Sequence, residues 1–293
     1  MSTFLLTLGL GLSTAAILAL SAVAFTLEYA VSNVANLAHG EMLSIGAYAA
    51  YLGAKASNNN VIVAGLAAIV AGAISGWALN FLLIERFRGQ HVISTFIATL
   101  GASLILQNLL VMGFGAANVT YGFTQGALHH VGPFLWTTSD LAVISAALLL
   151  AILIYILLQR TKLGKALRAV SQNRELAQIS GIPAKRVVAE TWTLAGGIAG
   201  FAGFVLAETI GTFSPTLGNG FLLLTIAATV AGGLGRPYAT LGGALVVGVI
   251  LQLAGAYTSA AYELVFAFVI LVVLLVFLPN GIFVRGGAKA VRV

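Results

Sequence analysis

The sequence predicts an all-α integral membrane protein, a polytopic bundle of about eight or nine transmembrane helices that include short or broken ones. Of its 293 residues, 60% are hydrophobic and 8% are charged, whereas soluble domains have about 25% charged residues. Runs such as AALLLAILIYILL (146 to 158) are apolar on every face, whereas the strands of a membrane barrel alternate in polarity over about ten residues. Helices are therefore the spanning elements that fit this chain, and glycines at small-residue spacing, such as Gly196, Gly200 and Gly203, predict that these helices pack closely.

The charge-free runs place the individual helices. We expect them near residues 4–27, 41–54, 61–84, 92–114, 140–158, 187–208, 220–233, 238–256 and 263–279. Two of these, 41–54 and 220–233, have about 14 residues and rise roughly 21 Å, less than the hydrocarbon core of about 30 Å. They are the predicted short or broken helices. The first run lacks a basic n-region and a small-residue cleavage site, so we interpret it as a retained helix.

The basic residues predict the orientation in the membrane. If the spans alternate, all of the 14 lysines and arginines except Lys55 fall on one side. The positive-inside rule makes that side the cytoplasm, with the N-terminus outside and the C-terminus inside. The net charge of +6 therefore reflects topology, and no nucleic-acid partner is expected. We expect a multi-pass protein of the cell (inner) membrane.

The stretch NLAHGEMLSIGAY (36 to 48) puts polar groups inside apolar surroundings. Ionisable residues at membrane depth usually face a cavity or a partner. Gly40 permits a turn, and the dipole of the helix that follows favours an acid in its first turn. One interpretation is a substrate path lined by Asn36, His39, Gly40, Glu41 and Ser44. The other is local: Asn36 caps the helix, Glu41 marks its start, and His39 makes one backbone bond.

Two further stretches carry polar or small residues at membrane depth. In STFIATLGASLILQN (94 to 108), polar residues recur at helical spacing, and interhelical hydrogen bonds are the alternative to a path-lining role. ATVAGGLGRPYATLGGA (228 to 244) adjoins the second short helix, and interrupted helices in corresponding halves of a chain indicate a transporter's midplane site. From these stretches we assign Thr99, Ser103, Gln107, Thr229, Gly232 and Gly233 to the path.

The segment from about 159 to 187 is the long polar loop on the predicted cytoplasmic side. Residues 165–180 have the pattern of one amphipathic helix that ends before Gly181 and Pro183. Such a helix either lies on anionic membrane lipid or docks a cytosolic partner. Gly164-Lys165 lacks the earlier glycine and the following Ser or Thr of a P-loop, so this chain is not expected to hydrolyse ATP. With no cysteine, thiolate zinc sites and iron–sulfur clusters are excluded, and we expect no metal site.

Several stretches together resemble the permease subunit of branched-chain amino acid ABC importers in its shorter form. They are NLAHGEMLSIGAY (36 to 48), LIERF (83 to 87), LGASLILQN (100 to 108), LGKALRAVSQNRELAQISGIPAKRV (163 to 187), GGLGRPYATLGGALVVGVI (232 to 250) and LPNGIF (278 to 283). The resemblance implies a single permease domain over 1–293. It also implies a second homologous permease subunit, cytosolic ABC ATPase subunits that bind ATP and Mg, and an external or periplasmic solute-binding protein. No cofactor is expected in this chain.

In the same resemblance, ELAQISGIP (175 to 183) is similar to the loop that such permeases insert into the ATPase. The implied coupling residues are Gly164, Lys165, Arg168, Glu175, Ala177, Gly181, Ile182 and Pro183. The implied function is import of branched-chain or other hydrophobic amino acids. Urea or short-chain amides are the alternative solutes, since the family includes importers of these. An ion-coupled secondary transporter or channel that uses His39 and Glu41, and a purely structural membrane subunit, are alternatives of other classes.

Overall fold

The computed structural model describes residues 3–123, 126–131, 134–258, 262–278 and 281–283. Within these residues the helices are α1 (Thr3–Ser32), α2 (His39–Ala56), α3 (Val61–Leu79), α4 (Val92–Phe114), α5 (Thr138–Arg160), α6 (Lys162–Gln172), α7 (Arg174–Ile179), α8 (Ala184–Ile210), α9 (Leu217–Gly232), α10 (Pro237–Tyr257) and α11 (Glu263–Phe277). A π-helical turn, Asn80–Ile84, extends α3. Pro279 and Asn280 of the predicted LPNGIF stretch, and the C-terminal basic residues from Arg285 onward, lie outside the described residues.

Six of the described helices are long and apolar enough to cross a membrane. They are Phe4–Ser32, Val61–Ile84, Val92–Phe114, Thr138–Arg160, Ala184–Ile210 and Pro237–Tyr257. Leu217–Gly232 and Val265–Phe277 are shorter apolar helices. The helix predicted at 41–54 is longer than expected, since α2 has 18 residues, but its rise of about 27 Å is still less than the hydrocarbon core of about 30 Å. The predicted second short helix, α9, has 16 residues.

Two further predictions from the sequence are corrected. The first helix was expected to end at residue 27, where the charge-free run ends, but α1 continues through Glu28 to Ser32. Short antiparallel strand pairs are also present: β1 (Val119–Thr120), between α4 and α5, pairs with β4 (Thr212–Phe213), between α8 and α9, and β2 (Leu128–Val131) pairs with β3 (Phe134–Thr137). The chain is therefore mostly helical rather than strictly all-α.

The predicted close packing of helices at small residues is confirmed where α8 crosses α3. A Cβ added at Gly196 would collide with the Gly72 carbonyl, and one at Gly200 would collide with the Ala68 carbonyl. Farther along α8, Gly203 lies against the Leu43 backbone of α2. Small residues let helix backbones approach closely in a bilayer, where van der Waals packing drives association. This packing fixes α2 against the most buried part of the bundle.

Local sequence signals explain several helix boundaries. The Asn60 side chain caps α3 by accepting from the Ile62 and Val63 backbone N–H groups. Thr137 and Asp140 form a reciprocal capping box at the start of α5. Gly211, at φ +82°, follows the end of α8 in the left-handed conformation that favours glycine. These local signals fix the ends of α3, α5 and α8.

Candidate functional site

The first turn of α2 lies where α1, α4 and α9 meet, and its side chains point toward all three. His39, Gly40, Glu41 and Ser44 are all buried. His39 faces α1, Glu41 faces α4, and Gly40 contacts the beginning of α9. The polar residues that the sequence placed in one short stretch therefore serve three different helix contacts.

A buried acid–histidine pair joins α1 to the start of α2. The His39 Nδ1 atom lies 3.0 Å from Glu28 Oε1, and the Asn36 side-chain amide donates to Glu28 Oε2 at 2.8 Å. Asn36 Oδ1 also accepts from the Ala38 backbone N–H at 3.0 Å. Glu28 and His39 are both 0% exposed. Because a buried charge or polar group is costly when unpaired, these bonds account for a carboxylate inside a membrane helix.

The other side of the His39 ring continues this network into α9. His39 Nε2 lies 3.3 Å from the Ser21 hydroxyl, which in turn lies 2.8 Å from the Thr225 hydroxyl. One turn farther along α9, Thr229 donates to the Ala22 carbonyl at 3.4 Å. The local alternative for His39, a single backbone bond, is wrong, since both ring nitrogens meet side chains. A chain of hydrogen bonds thus ties three separate helices together.

Glu41 faces the polar stripe of α4. Ser103 donates to Glu41 Oε1 at 3.3 Å, and Glu41 Oε2 is buried without a hydrogen-bond partner among the described residues. One turn earlier on α4, the Thr99 hydroxyl accepts from the Leu37 backbone N–H at 3.3 Å. Glu41 lies in the first turn of α2, as predicted. Its free oxygen offers an acceptor for a cationic donor between α2 and α4.

Ser44 and Gly40 fix the beginning of α9 against α2. The Ser44 hydroxyl accepts from the Gly218 N–H at 3.0 Å and donates to the Pro215 carbonyl at 3.1 Å. It therefore caps α9 from a neighbouring helix, satisfying an N–H that has no partner within α9. A Cβ added at Gly218 would collide with the Gly40 carbonyl. The two helix beginnings are in backbone contact.

The structure brings together most of the predicted path residues, but not all. Those around the first turn of α2 are Asn36, His39, Gly40, Glu41, Ser44, Thr99 and Ser103. Gln107 is half-buried and makes no hydrogen bond with a described residue. Gly232 and Gly233 lie at the far end of α9, where Gly232 packs on Thr240. Their role in a path remains a prediction.

Sequence reasoning missed Glu28, Ser21 and Thr225. Glu28 was hidden because the charge-free run stops just before it, which suggested a helix end. A usable signal existed, since Glu28 lies 11 residues before His39 and acids at membrane depth seek a partner. Ser21 and Thr225 are small polar residues in apolar helices, and nothing local distinguishes them from packing residues.

The polar segment from about 159 to 187 forms two helices, α6 and α7, rather than the predicted single helix over 165–180. Asn173 interrupts the helix and caps α7 by accepting from the Leu176 N–H. Leu176 and Ile179 are 60% and 84% exposed, and Glu175 is exposed beside them. Gly181, at φ +83°, ends α7, and the Ile182 N–H donates back to the Ala177 carbonyl at 2.9 Å. The turn presents an exposed apolar face next to an acid.

The remaining predicted coupling residues anchor or flank this turn. Gly164 packs on the Leu157 and Leu158 carbonyls, and Arg168 donates to the Gln159 side chain at 3.0 Å. Lys165 and Pro183 are exposed. α6 is thus held to the end of α5, while α7 projects from the bundle.

A cluster of charges lies between α7 and the end of α3. Burial, followed by the nearby Arg88 guanidinium, lowers the pKa of Arg174, and Glu85 partly offsets this. Arg174 Nε is buried without a hydrogen-bond partner among the described residues. Glu85 pairs with Lys185 at 3.6 Å. These contacts connect the projecting turn to α3 and α8.

Comparison with known proteins identifies related transport proteins. A family model described as branched-chain amino acid transport system, permease component, matches residues 7–275. The permease protein LivH of Escherichia coli (strain K12), named for a high-affinity branched-chain amino acid transport system, is 29% identical over 281 residues, 91% of each chain. The ribose import permease protein RbsC of the same strain is 31% identical over 259 residues, 82% of this chain and 78% of RbsC.

A solved structure shares the fold. PsaBC from Streptococcus pneumoniae in complex with Fab contains a chain that matches with a TM-score of 0.51 and 14% identity, over 94% of this chain and 92% of that one. The family match covers nearly the whole chain and includes both the first turn of α2 and the turn formed by α7 and Gly181. The chain is therefore a multi-pass membrane protein that belongs to the family of permease components of branched-chain amino acid transport systems.

Proposed function

We propose that this chain is the transmembrane permease subunit of an ATP-binding cassette importer that moves branched-chain or other hydrophobic amino acids into the cytoplasm. The observation that carries the proposal is Glu41, a fully buried carboxylate with one unpaired oxygen facing the polar stripe of α4. An unpaired acceptor at membrane depth suits a solute that brings its own cation, such as the ammonium group of an amino acid.

The surroundings of Glu41 suit the rest of such a solute. Ile45 lies one turn after Glu41 on the same face of α2 and supplies apolar surface for a side chain. The backbone N–H groups at a helix start favour a carboxylate. Because Glu41 is buried, a solute reaches it only when α2 and α4 separate. The mechanism that we propose is alternating access, in which one helix group rocks against another around the site.

The energy for this movement would come from partner subunits. We infer that α7 is the coupling helix, because its exposed Leu176, Ile179 and Glu175 offer an apolar and acidic surface to a cytosolic ATPase. ATP and Mg would be bound by that ATPase and no cofactor by this chain. A second homologous permease subunit, an external or periplasmic solute-binding protein and membrane lipid complete the assembly.

The topology follows from the same proposal. The chain forms one permease domain over 1–293, in which α2, α9 and α11 would add to the six long spans and give nine crossings, an odd number that leaves the two termini on opposite sides. The N-terminus lies outside and the C-terminus in the cytoplasm. In this orientation α6, α7 and most of the basic residues lie on the cytoplasmic side, as the positive-inside rule requires.

Uptake of labelled leucine tests the substrate. In cells that carry the full importer, we expect ATP-dependent leucine uptake that disappears without this chain, and no change in labelled urea or ribose uptake. Glu41→Gln should lower leucine uptake about tenfold or more, since it removes the counter-charge for the ammonium group. Glu190→Gln, at an exposed ion pair with Arg186, is the matched control and should leave uptake unchanged.

Other outcomes of this experiment point to other functions. Loss of urea or ribose uptake alone would keep the importer and change its solute, with ribose the substrate named for one relative. Leucine uptake that depends on this chain but persists after ATP depletion would contradict the ABC importer and favour ion coupling. Equal leucine uptake in Glu41→Gln and the parent protein would remove Glu41 from the path.

Substitution at the α7 turn tests the coupling assignment. Gly181→Val forces a β-branched residue into a left-handed backbone conformation, and Glu175→Ala removes the acid beside the exposed apolar face. Both variants should reach the membrane in normal amounts but lose most leucine uptake, and the ATPase activity of the purified complex should no longer respond to the solute-binding protein. Gly89→Val has the same φ of +83° with no atom near its Cβ, and it should retain coupling. Normal uptake in both α7 variants would contradict the assignment.

A further inference from the structure

An apolar groove runs along the bundle between α3, α5 and α8, apart from the site around Glu41. Its outer section is a cavity of about 540 Å³, its middle section is a cavity of about 490 Å³, and the two share Ile69, Ala146 and Phe201 as walls. A third cavity of about 310 Å³ continues from Ile69 to Trp77. Because neighbouring cavities share their walls, they form one continuous groove.

The length of the groove matches the dimensions of a bilayer. Its α3 wall extends from Val61 to Trp77, which corresponds to about 24 Å of helix. The outer cavity covers Val61 to Ile69, or about 12 Å, close to the roughly 15 Å depth of one leaflet's hydrocarbon. The outer cavity therefore has the depth of one acyl chain that enters from the outer leaflet.

Apolar side chains at the mouth of the groove face the surroundings of the bundle. Ile62 and Leu66 of α3 are 74% and 57% exposed, and both line the outer cavity. Gly65 lies between them, and a Cβ there would be in van der Waals contact with the Phe201 and Phe204 rings at 3.6 Å, so the groove has room for a methyl group at this level. In a membrane-spanning chain such a mouth opens toward lipid.

The polar end of the outer cavity has one charge among the described residues, and it is negative. Glu208, near the end of α8, is half-buried and accepts from the Ser139 hydroxyl at 2.7 Å. Both residues line the cavity, and the described residues that line it include no lysine or arginine. An apolar groove with a carboxylate at its outer end is complementary to a molecule with a long apolar body and a cationic head.

We propose that the outer half of this groove binds a membrane phospholipid whose headgroup carries a primary ammonium, with the ammonium at Glu208 and an acyl chain between Phe201 and Ala146. A single amino acid would fill only a fraction of a groove of this length. An alkyl chain is thin, long and apolar, as the groove requires.

Lipid retention by the purified importer tests the proposal. The complex is extracted, washed in detergent until bulk lipid is removed, and its remaining phosphatidylethanolamine and phosphatidylglycerol are counted by native mass spectrometry. The parent protein should retain phosphatidylethanolamine. Ala146→Phe places a ring in the groove where the two cavities meet, and it should lower phosphatidylethanolamine retention about tenfold. Ala147→Phe, about 100° away around α5 and not among the residues that line the groove, should not.

The headgroup contact and the acyl chain are tested separately. Glu208→Gln should abolish the preference for phosphatidylethanolamine over phosphatidylglycerol, with Glu190→Gln as control. If Ala146→Phe fails to fold, a photoreactive benzoylphenylalanine at Phe201 replaces it. Irradiated after the detergent wash, this variant should form a lipid adduct, whereas the same residue at Phe268, on the exposed surface of α11, should form none.

Three results would overturn the proposal. The first is equal lipid retention in the parent protein and Ala146→Phe. The second is that, on irradiation after the wash, the Phe201 variant forms no more lipid adduct than the Phe268 variant. The third is displacement of the retained lipid by leucine, which would make the groove a solute site. Retention is counted without transport, so these results are independent of whether leucine is the imported solute.

Discussion

Glu28→Ala is expected to lower the free energy of unfolding by about 3 kcal/mol or more, because it leaves two buried side chains, His39 and Asn36, without their hydrogen-bond partner. Glu28 Oε1 meets His39 at 3.0 Å and Oε2 accepts from Asn36 at 2.8 Å. Both partners are buried at membrane depth, so neither finds water when the carboxylate is removed. The variant should also lose leucine uptake, since the first turn of α2 is held to α1 by these bonds.

Reversible unfolding of the reconstituted protein in sodium dodecyl sulfate measures this loss. Glu190→Ala is the matched control: it also breaks an acid–base contact, with Arg186 at 2.7 Å, but this pair is exposed and should contribute no more than about 0.5 kcal/mol. His39→Ala should be destabilised like Glu28→Ala, and the double variant by much less than the sum of the two. Additive losses would show that the two side chains do not act as a pair.

The Glu28–His39 pair shows why some of the site could not be predicted. The apolar run that ends at Leu27 predicted a helix end there, but α1 continues to Ser32. The local sequence shows only that a carboxylate in a membrane helix costs free energy; it does not show the partner that offsets this cost. That partner comes from the next segment of the chain. The same limit applies to Ser44, whose bonds to the start of α9 join residues about 170 positions apart.

Features that depend on a helical repeat were predictable. Thr95, Thr99 and Ser103 recur every four residues and are all buried on one face of α4, because residues at this spacing share a face. The spaced glycines of α8 predicted close packing for the same reason. The break at Asn173 was missed although its signal is local: Asn is a preferred N-cap, and here it closely precedes an acid. The amphipathic pattern on both sides of it outweighed the cap.

Among the glycines that the structure describes, Gly218 is the one whose replacement by alanine is expected to reduce stability and transport most. Gly218 lies in the first turn of α9, where an added Cβ would collide with the Gly40 carbonyl and lie 2.9 Å from the Ser44 hydroxyl that caps α9. The obstacle is backbone, which cannot rotate away as a side chain does. Overpacking of this kind costs about 1–3 kcal/mol, and relief requires α9 to move away from α2. Leucine uptake should fall about tenfold or more, because the same turn of α2 carries Glu41.

Gly220→Ala separates this contact from the general effect of replacing a helical glycine. Gly220 lies two residues farther along α9, and a Cβ there meets no atom within 4 Å. Alanine in a helix is favoured over glycine by about 1 kcal/mol, so this variant should be as stable as the parent protein or slightly more stable. Thermal unfolding in detergent and the initial rate of leucine uptake per membrane-inserted chain are compared for the two variants. Equal behaviour of the two would mean that α9 does not rest on the first turn of α2. If Gly218→Ala instead loses uptake with an unchanged free energy of unfolding, the contact positions the path residues but does not stabilise the fold.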